Sequence, residues 1–354
     1  MKILILTQTF PLNPNDSTAP FMYDFARGFA DLDNQVFILL PFNPKLKVRS
    51  FKKIKLITFR YIWPDFLHLL GYGNTLENDQ RLKWFVYFLA PFYYFFAIIK
   101  LYSVVSKHGI QIINAHWILP NGFIAAIVSK LTGVPLVITV PGSDAFIAKQ
   151  NFMFKIATEF ALSSAKKIIS NSPQLLKDLN VQGKIISYPV PLNSQPRTKN
   201  SQLIIATAGR NVEKKGFGIV KKVIPDIEII SGLPIKEFRT KLTSVDIFIA
   251  FSVRDSQGNL DDASLTVIEA MAAGCCVVVS DLPGYRRIIK DGVNGFLINT
   301  DNLSGLKKLI NNLYENRELV KKIGQDAREK VMRSLTSKKT ASLYLNLFKG
   351  YDGF

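Results

Sequence analysis

One alternation, occurring twice, does most to limit what this chain can fold into. The runs KILILTQ, QVFILLP, IQIINAH, PLVITVP and KKIISNS are rich in Ile, Leu and Val, and segments with helical spacing such as PFMYDFARGFADL and NGFIAAIVSKLTG separate them. Apolar strands that alternate with helices imply a parallel sheet covered on both faces. The pattern breaks at PVPLNSQPRTKNSQ, which no core could use, and restarts as QLIIATAG, IEIISG, VDIFIAFS, CCVVVSD and GFLIN. The expected fold is α/β: two doubly wound Rossmann-like domains facing a cleft, over residues 1–190 and 191–335. Leu, Tyr and Phe at helical spacing predict a C-terminal helix within 336–354 that packs back toward the first domain.

The charge balance narrows the partners. Lys and Arg number 45 against 27 Asp and Glu, and a net charge of +18 calls for something anionic: nucleic acid, phosphorylated small molecules or an acidic membrane. No helix-turn-helix, zinc spacing or basic sheet with interleaved aromatics supports nucleic acid. The two cysteines, Cys275 and Cys276, are adjacent and leave opposite faces of a strand, so they read as reduced core residues. MKILILTQTF has strand length rather than the form of a signal peptide, and a cytoplasmic location is expected.

The segment WFVYFLAPFYYFFAII, residues 84–99, carries no charge and falls short of the ~20 residues that span a bilayer. It reads equally as a buried helix or an interfacial one. Upstream lie Lys45, Lys47, Arg49, Lys52, Lys53 and Lys55, the basic run that a protein resting on an anionic bilayer would carry, or a solvated loop.

Ligands of open α/β sheets bind beyond the carboxyl ends of the strands. There, after QLIIATA, the octet Gly209–Gly216 (GRNVEKKG) presents Arg210 and Lys215 to a diphosphate. After VDIFIAFS comes RDSQGNLDDASLT, in which Ser264, Leu265 and Thr266 open a helix whose first-turn N–H groups favour an anion. Glu269, one to two turns in, is placed to accept both hydroxyls of a ribose, and Asp261 to reach a group beyond the phosphates.

These stretches, with MKILILTQTFPLNPNDSTAPF, NAHWILPNGFIAA, VPGSDAF, ISNSPQLLKDL and DLPGYRRIIKDGVNGFLI, make the chain resemble the retaining glycosyltransferases of the GT-B fold, most closely family 4. The resemblance implies that Asp261 and Glu269 stand for the Glu-seven-Glu pair and that Arg210 and Lys215 hold the donor diphosphate. It implies that His116 lies under the transferred sugar, and that Ser17 and Thr18, in a loop that is glycine-rich in relatives, lie against the donor phosphates and acceptor. Three departures accompany it: Asp261 is one methylene short of Glu, Pro141 replaces a His before Gly-Ser-Asp, and only 35 residues separate Arg210 from Asp246. The last suggests a C-terminal domain shortened by one βα unit.

The function so implied is retaining, metal-independent transfer of a sugar from a nucleotide-diphosphate sugar, with no further cofactor, to a lipid-linked or membrane-proximal glycan acceptor. Attachment would be peripheral, at the cytoplasmic face. The alternative is a catalytically impaired relative serving as a binding or regulatory subunit.

Overall fold

The computed structural model describes residues 1–47, 53–72, 83–142, 151–191, 202–256, 258 and 260–349. The chain divides into two compact units. Unit 1 comprises Met1–Ser187 and Ser337–Phe354, and unit 2 is Tyr188–Thr336.

Unit 1 holds β1 (Lys2–Leu6), α1 (Pro20–Ala30), β2 (Gln35–Pro41), β3 (Ile54–Phe59), α2 (Trp84–His108), β4 (Ile112–His116), α3 (Phe123–Thr132), β5 (Leu136–Val140), α4 (Phe152–Ser164), β6 (Lys167–Ser170), α5 (Pro173–Asp178) and β7 (Lys184–Ile185). Its seven strands run parallel in the order β3-β2-β1-β4-β5-β6-β7. Because side chains alternate across a strand, Leu4, Ile113, Ala115, Ile138 and Val140 face one layer, formed by α2, α3 and α4. Asn114, His116 and Thr139 face the other, where Phe25 of α1 lies edge-on to the His116 ring at 4.9 Å.

Unit 2 holds β8 (Ile205–Ala208), α6 (Phe217–Val223), β9 (Glu228–Ile230), α7 (Ile235–Leu242), β10 (Ile247–Ala250), α8 (Leu265–Ala273), β11 (Cys276–Ser280), α9 (Pro283–Arg286), β12 (Phe296–Ile298), α10 (Leu303–Glu315) and α11 (Arg317–Ser334). Its five strands are parallel in the order β12-β11-β10-β8-β9. Along the chain only one strand, β9, separates β8 from β10, where the sequence indicated a shortened domain. Cys275 packs with α8 and α11 while Cys276 packs with α6 and α10, and both are free thiols in the core.

The expected C-terminal helix is α12 (Ser337–Phe348), which completes unit 1 by packing on α1. Tyr344 lies edge-on to Phe25 at 4.8 Å, and Phe348 stacks on Phe29 at 5.9 Å. The crossing is tight because Gly28 has no side chain there: a Cβ would overlap the Ser337 carbonyl oxygen.

The charge-free segment at 84–99 is part of a longer element than its composition marked out. The helix continues to His108, 25 residues, because the later residues keep the apolar stripe on the sheet. By length and composition alone it could cross a membrane. Leu89, Tyr93, Ala97, Leu101, Val104 and Val105 are buried against unit 1, whereas Trp84, Tyr87, Phe88, Phe92 and Phe95 are exposed, Trp84 to 81%. Of the upstream basic run, Lys53 pairs with Asp33, and Arg49 and Lys52 lie outside the described residues.

Gly28→Ala should destabilise unit 1 by about 1–3 kcal/mol through overpacking at the α1–α12 crossing, read as a lowered midpoint in chemical denaturation.

Candidate active site

In a parallel sheet the carboxyl ends of the strands lie along one edge, and the crevice opens where the strand order reverses. In unit 2 that point lies between β8 and β10, because β8 leads outward to β9 and β10 outward to β11. The loops that follow these two strands carry most of the candidate residues.

The loop after β8 turns at Gly209, whose φ of 139° is open to glycine and strained for other residues. A Cβ there would press on the Lys215 side chain, at 3.1 Å from Cε, so glycine also clears the path for that lysine. Lys215 reaches across to the loop after β10. Its Nζ lies 2.6 Å from Asp261 Oδ2 and donates to Ser264 Oγ at 2.9 Å, and Ser264 Oγ lies 2.9 Å from Thr266 Oγ1. Lys215, Asp261, Ser264 and Thr266 thus form one cluster, with the two charged side chains 16% and 23% exposed.

Burial pushes the Asp261 carboxyl up, but the Lys215 charge, its hydrogen bond, Lys214 and Ser264 together outweigh burial and hold it below its usual value. The Asp261 backbone is fixed as well: buried Tyr285 donates its hydroxyl to the Asp261 carbonyl oxygen at 3.1 Å and lies 3.3 Å from Ser252 Oγ.

Ser264 is the N-cap of α8, yet its side chain caps no backbone N–H. Its hydroxyl is engaged by Lys215 and Thr266, so Ser264 does not cap the first turn, which Leu265 opens. Glu269 sits one turn further along α8 and is held by Arg239 of α7, whose Nε and Nη2 donate to Glu269 Oε1 at 3.1 and 3.0 Å. Arg210 is exposed on the turn after Gly209.

His116, Ser17 and Thr18 belong to unit 1. His116 ends β4 and is fully buried, so its side chain offers no surface to a sugar in this structure. Asn114 donates its Nδ2 to Thr139 Oγ1 and to the Val137 carbonyl oxygen, which leaves its Oδ1 to accept from His116 Nε2 at 2.9 Å. The imidazole therefore carries its proton on Nε2. Burial lowers its pKa to about 3, so it is neutral near pH 7. His116 is thus a buried, neutral imidazole held by Asn114 at the end of β4, and its implied place under the transferred sugar rests on the resemblance alone. Ser17 is exposed and Thr18 half-buried in a loop held by Asp16, whose carboxylate accepts from the backbone N–H of Leu12 at 2.7 Å and of Thr18 at 2.8 Å. Pro141 follows β5, and most of VPGSDAF, from Ser143 on, lies outside the described residues.

Arg239 and Tyr285 are site residues that sequence spacing did not reveal. Arg239 lies on a separate helix 30 residues before Glu269, and Tyr285 acts on a backbone carbonyl, which no motif encodes. Among the described residues, no three His, Cys, Asp or Glu side chains are grouped to hold a metal ion.

Comparisons with known proteins bear on the fold and the family. The family described as "Glycosyl transferases group 1" matches residues 223–330, and "Glycosyl transferase 4-like" matches residues 15–172. An uncharacterized glycosyltransferase of Methanocaldococcus jannaschii is 25% identical over 293 residues, 74% of this chain and 84% of that one. Sucrose-phosphate synthase from Thermosynechococcus elongatus aligns at a TM-score of 0.74 and 14% identity over 99% of both chains. Anabaena HepE in complex with UDP aligns at 0.68 and 17% identity, over 99% of this chain and 100% of that one. The fold is that of the GT-B glycosyltransferases. Residues 223–330 are similar to the group 1 glycosyltransferases and residues 15–172 to the 4-like glycosyltransferases, which together support an enzyme of the glycosyltransferase class.

The Lys215–Asp261 pair gives unit 2 a defined acid response. The folded carboxyl lies below 3.8, so its stabilisation is complete above that value and is lost as pH falls through the folded pKa. Asp261→Asn should therefore flatten the fall in melting temperature below about pH 4 relative to the parent protein.

Proposed function

We propose that the protein transfers a sugar, with retention of anomeric configuration, from a nucleotide-diphosphate sugar to a lipid-linked or membrane-proximal glycan acceptor. The observation that carries this reading is the cluster in which Lys215, Asp261, Ser264 and Thr266 meet at the N-terminus of α8, just past the β8–β10 switch point. A cation beside uncapped first-turn N–H groups suits a diphosphate, and its charge would be spread over the leaving group as the glycosidic bond breaks. Lys215 and Arg210 are assigned to the diphosphate, Glu269 to the ribose hydroxyls and Asp261 to the sugar. The UDP bound in the HepE structure supports a nucleotide-linked donor. Retention rests on the family resemblance, in which the leaving phosphate oxygen takes the acceptor's proton. The same two cations supply the charge that a metal otherwise would, so the proposed transfer is metal-independent with no cofactor beyond the donor.

The membrane part of the reading rests on α2. One stripe of this helix is committed to the core of unit 1, which favours attachment over spanning, and the opposite side displays a row of large aromatic residues. Unit 1 is the acceptor-binding half in this family by resemblance, so an acceptor held at the cytoplasmic face of an anionic membrane accounts for this surface and for the net charge of +18.

A mass-resolved screen of nucleotide sugars for binding and hydrolysis, with NMR of the product anomer, tests the reaction. Inversion, or no turnover with any nucleotide sugar, would refute it. Lys215→Ala and Arg210→Ala should each weaken nucleotide-diphosphate binding by at least about tenfold, measured calorimetrically. Glu269→Ala should weaken the bare nucleotide, and Asp261→Ala only the sugar-bearing donor. For the membrane, Phe92→Ser combined with Phe95→Ser should reduce liposome binding at every salt concentration, since apolar insertion is not screened.

A further inference from the structure

Beside the aromatic face of α2 lies a second feature with its own chemistry. A cavity of about 240 Å³ opens between β3 and α2, both within unit 1. Its walls combine Arg60 and Lys100 with the hydroxyls of Thr58 and Ser103 and the apolar side chains of Phe96 and Ile99. We infer that this cavity receives the phosphate of an anionic membrane-lipid headgroup, one without a choline cation to be repelled by Arg60 and Lys100, with the acyl chains leaving along Phe96 and Ile99. The inference rests on the membrane attachment proposed above and gives it a specific headgroup contact.

Three observations carry it. First, the charge is of one sign: two cations line the cavity, and no carboxylate does. The Arg60 guanidinium is fixed in place, with Nε 3.1 Å from Asp65 Oδ1, Nη2 3.2 Å from Asp65 Oδ2, and its carbon 4.1 Å from the centre of the Phe42 ring. Asp65 offsets part of the Arg60 charge, but Lys100 has no acidic partner within ion-pair distance among the described residues. Lys100, the Arg60 guanidinium and two hydroxyls offer more donors than acceptors, and a phosphate monoester or diester supplies acceptor oxygens.

Second, the position excludes a purely aqueous ligand as the best fit. Phe96, Ile99, Lys100 and Ser103 fall at i, i+3, i+4 and i+7 on α2, so they form one stripe. Phe96 and Ile99 are 41% and 50% exposed and continue the row made by Phe88, Phe92 and Phe95. The polar cavity therefore lies directly beside the surface proposed to enter the acyl region, where a headgroup would adjoin its own chains.

Third, the site is open on the side a lipid would approach. β3 is the edge strand of its sheet, so no further strand closes the cavity. Its volume is several times the ~30 Å³ share of one water molecule.

The test is sedimentation of the full chain with vesicles of phosphatidylcholine alone and of phosphatidylcholine with phosphatidylglycerol. Lys100→Gln should lower affinity for the anionic vesicles by about fivefold and leave the neutral ones unchanged. Lys107→Gln, seven residues along the same helix and outside the cavity, should change either by less than about twofold. Thermal melts of both variants confirm an intact fold. Equal losses from Lys100→Gln and Lys107→Gln would show diffuse attraction and overturn the headgroup site, as would no loss from Lys100→Gln, while leaving membrane attachment standing. If the parent protein binds neither vesicle, the attachment falls and the headgroup site with it.

Discussion

Everything chemical in this molecule depends on both sheets being wholly parallel. A parallel strand must be followed by a crossover that returns the chain to the sheet's starting edge, so all loops that leave carboxyl ends collect along the opposite edge. With both faces of each sheet covered by helices, that edge is where polar side chains can be held without entering the core. Reversal of strand order at β8 and β10 then sends the crossovers that leave these two strands to opposite faces, which leaves a gap between their loops. Lys215 spans that gap. The chain can place a cation and a carboxylate 2.6 Å apart, across 46 positions of sequence, only because the strands before them are neighbours.

The polar groups are already engaged with one another. Asp261 and Glu269 each hold a protein cation, and Ser264 is bound to Lys215 where it would otherwise cap its own helix. Such pairing lowers the cost of keeping charges half-buried. Its consequence is that an incoming anion exchanges partners instead of filling an empty set of donors. The free energy of binding is the difference between two well-paired states, and geometry at Lys215 weighs as much as its charge.

Much of the fold was legible in the sequence, and the reasons differ from element to element. Runs such as QVFILLP and PLVITVP announce β2 and β5 because strands buried on both faces must be apolar at consecutive positions. β3 escaped notice because it is an edge strand with Lys55 inside it, and β7 because it is two residues long. α2 was legible as an apolar helix, but its length was not: Lys100 and Lys107 interrupt the composition without interrupting the helix. Within the site, the residues that follow strands could be named in advance. Their partners could not, since the contact from Arg239 to Glu269 depends on how α7 and α8 pack, and the burial of His116 on the layer formed by α1 and α12.

Unit 1 is discontinuous: its sheet is finished by residue 187, but α12 is supplied from beyond unit 2. On a ribosome the order of events follows directly. The sheet and α1 emerge early with Phe25, Phe29 and the surface around Gly28 uncovered, and unit 2, continuous in sequence, can complete its own core before they are sealed. Tyr344 and Phe348 arrive last and close the first-made half. The nascent chain therefore carries an exposed aromatic patch for the whole time that 149 residues of unit 2 are being made.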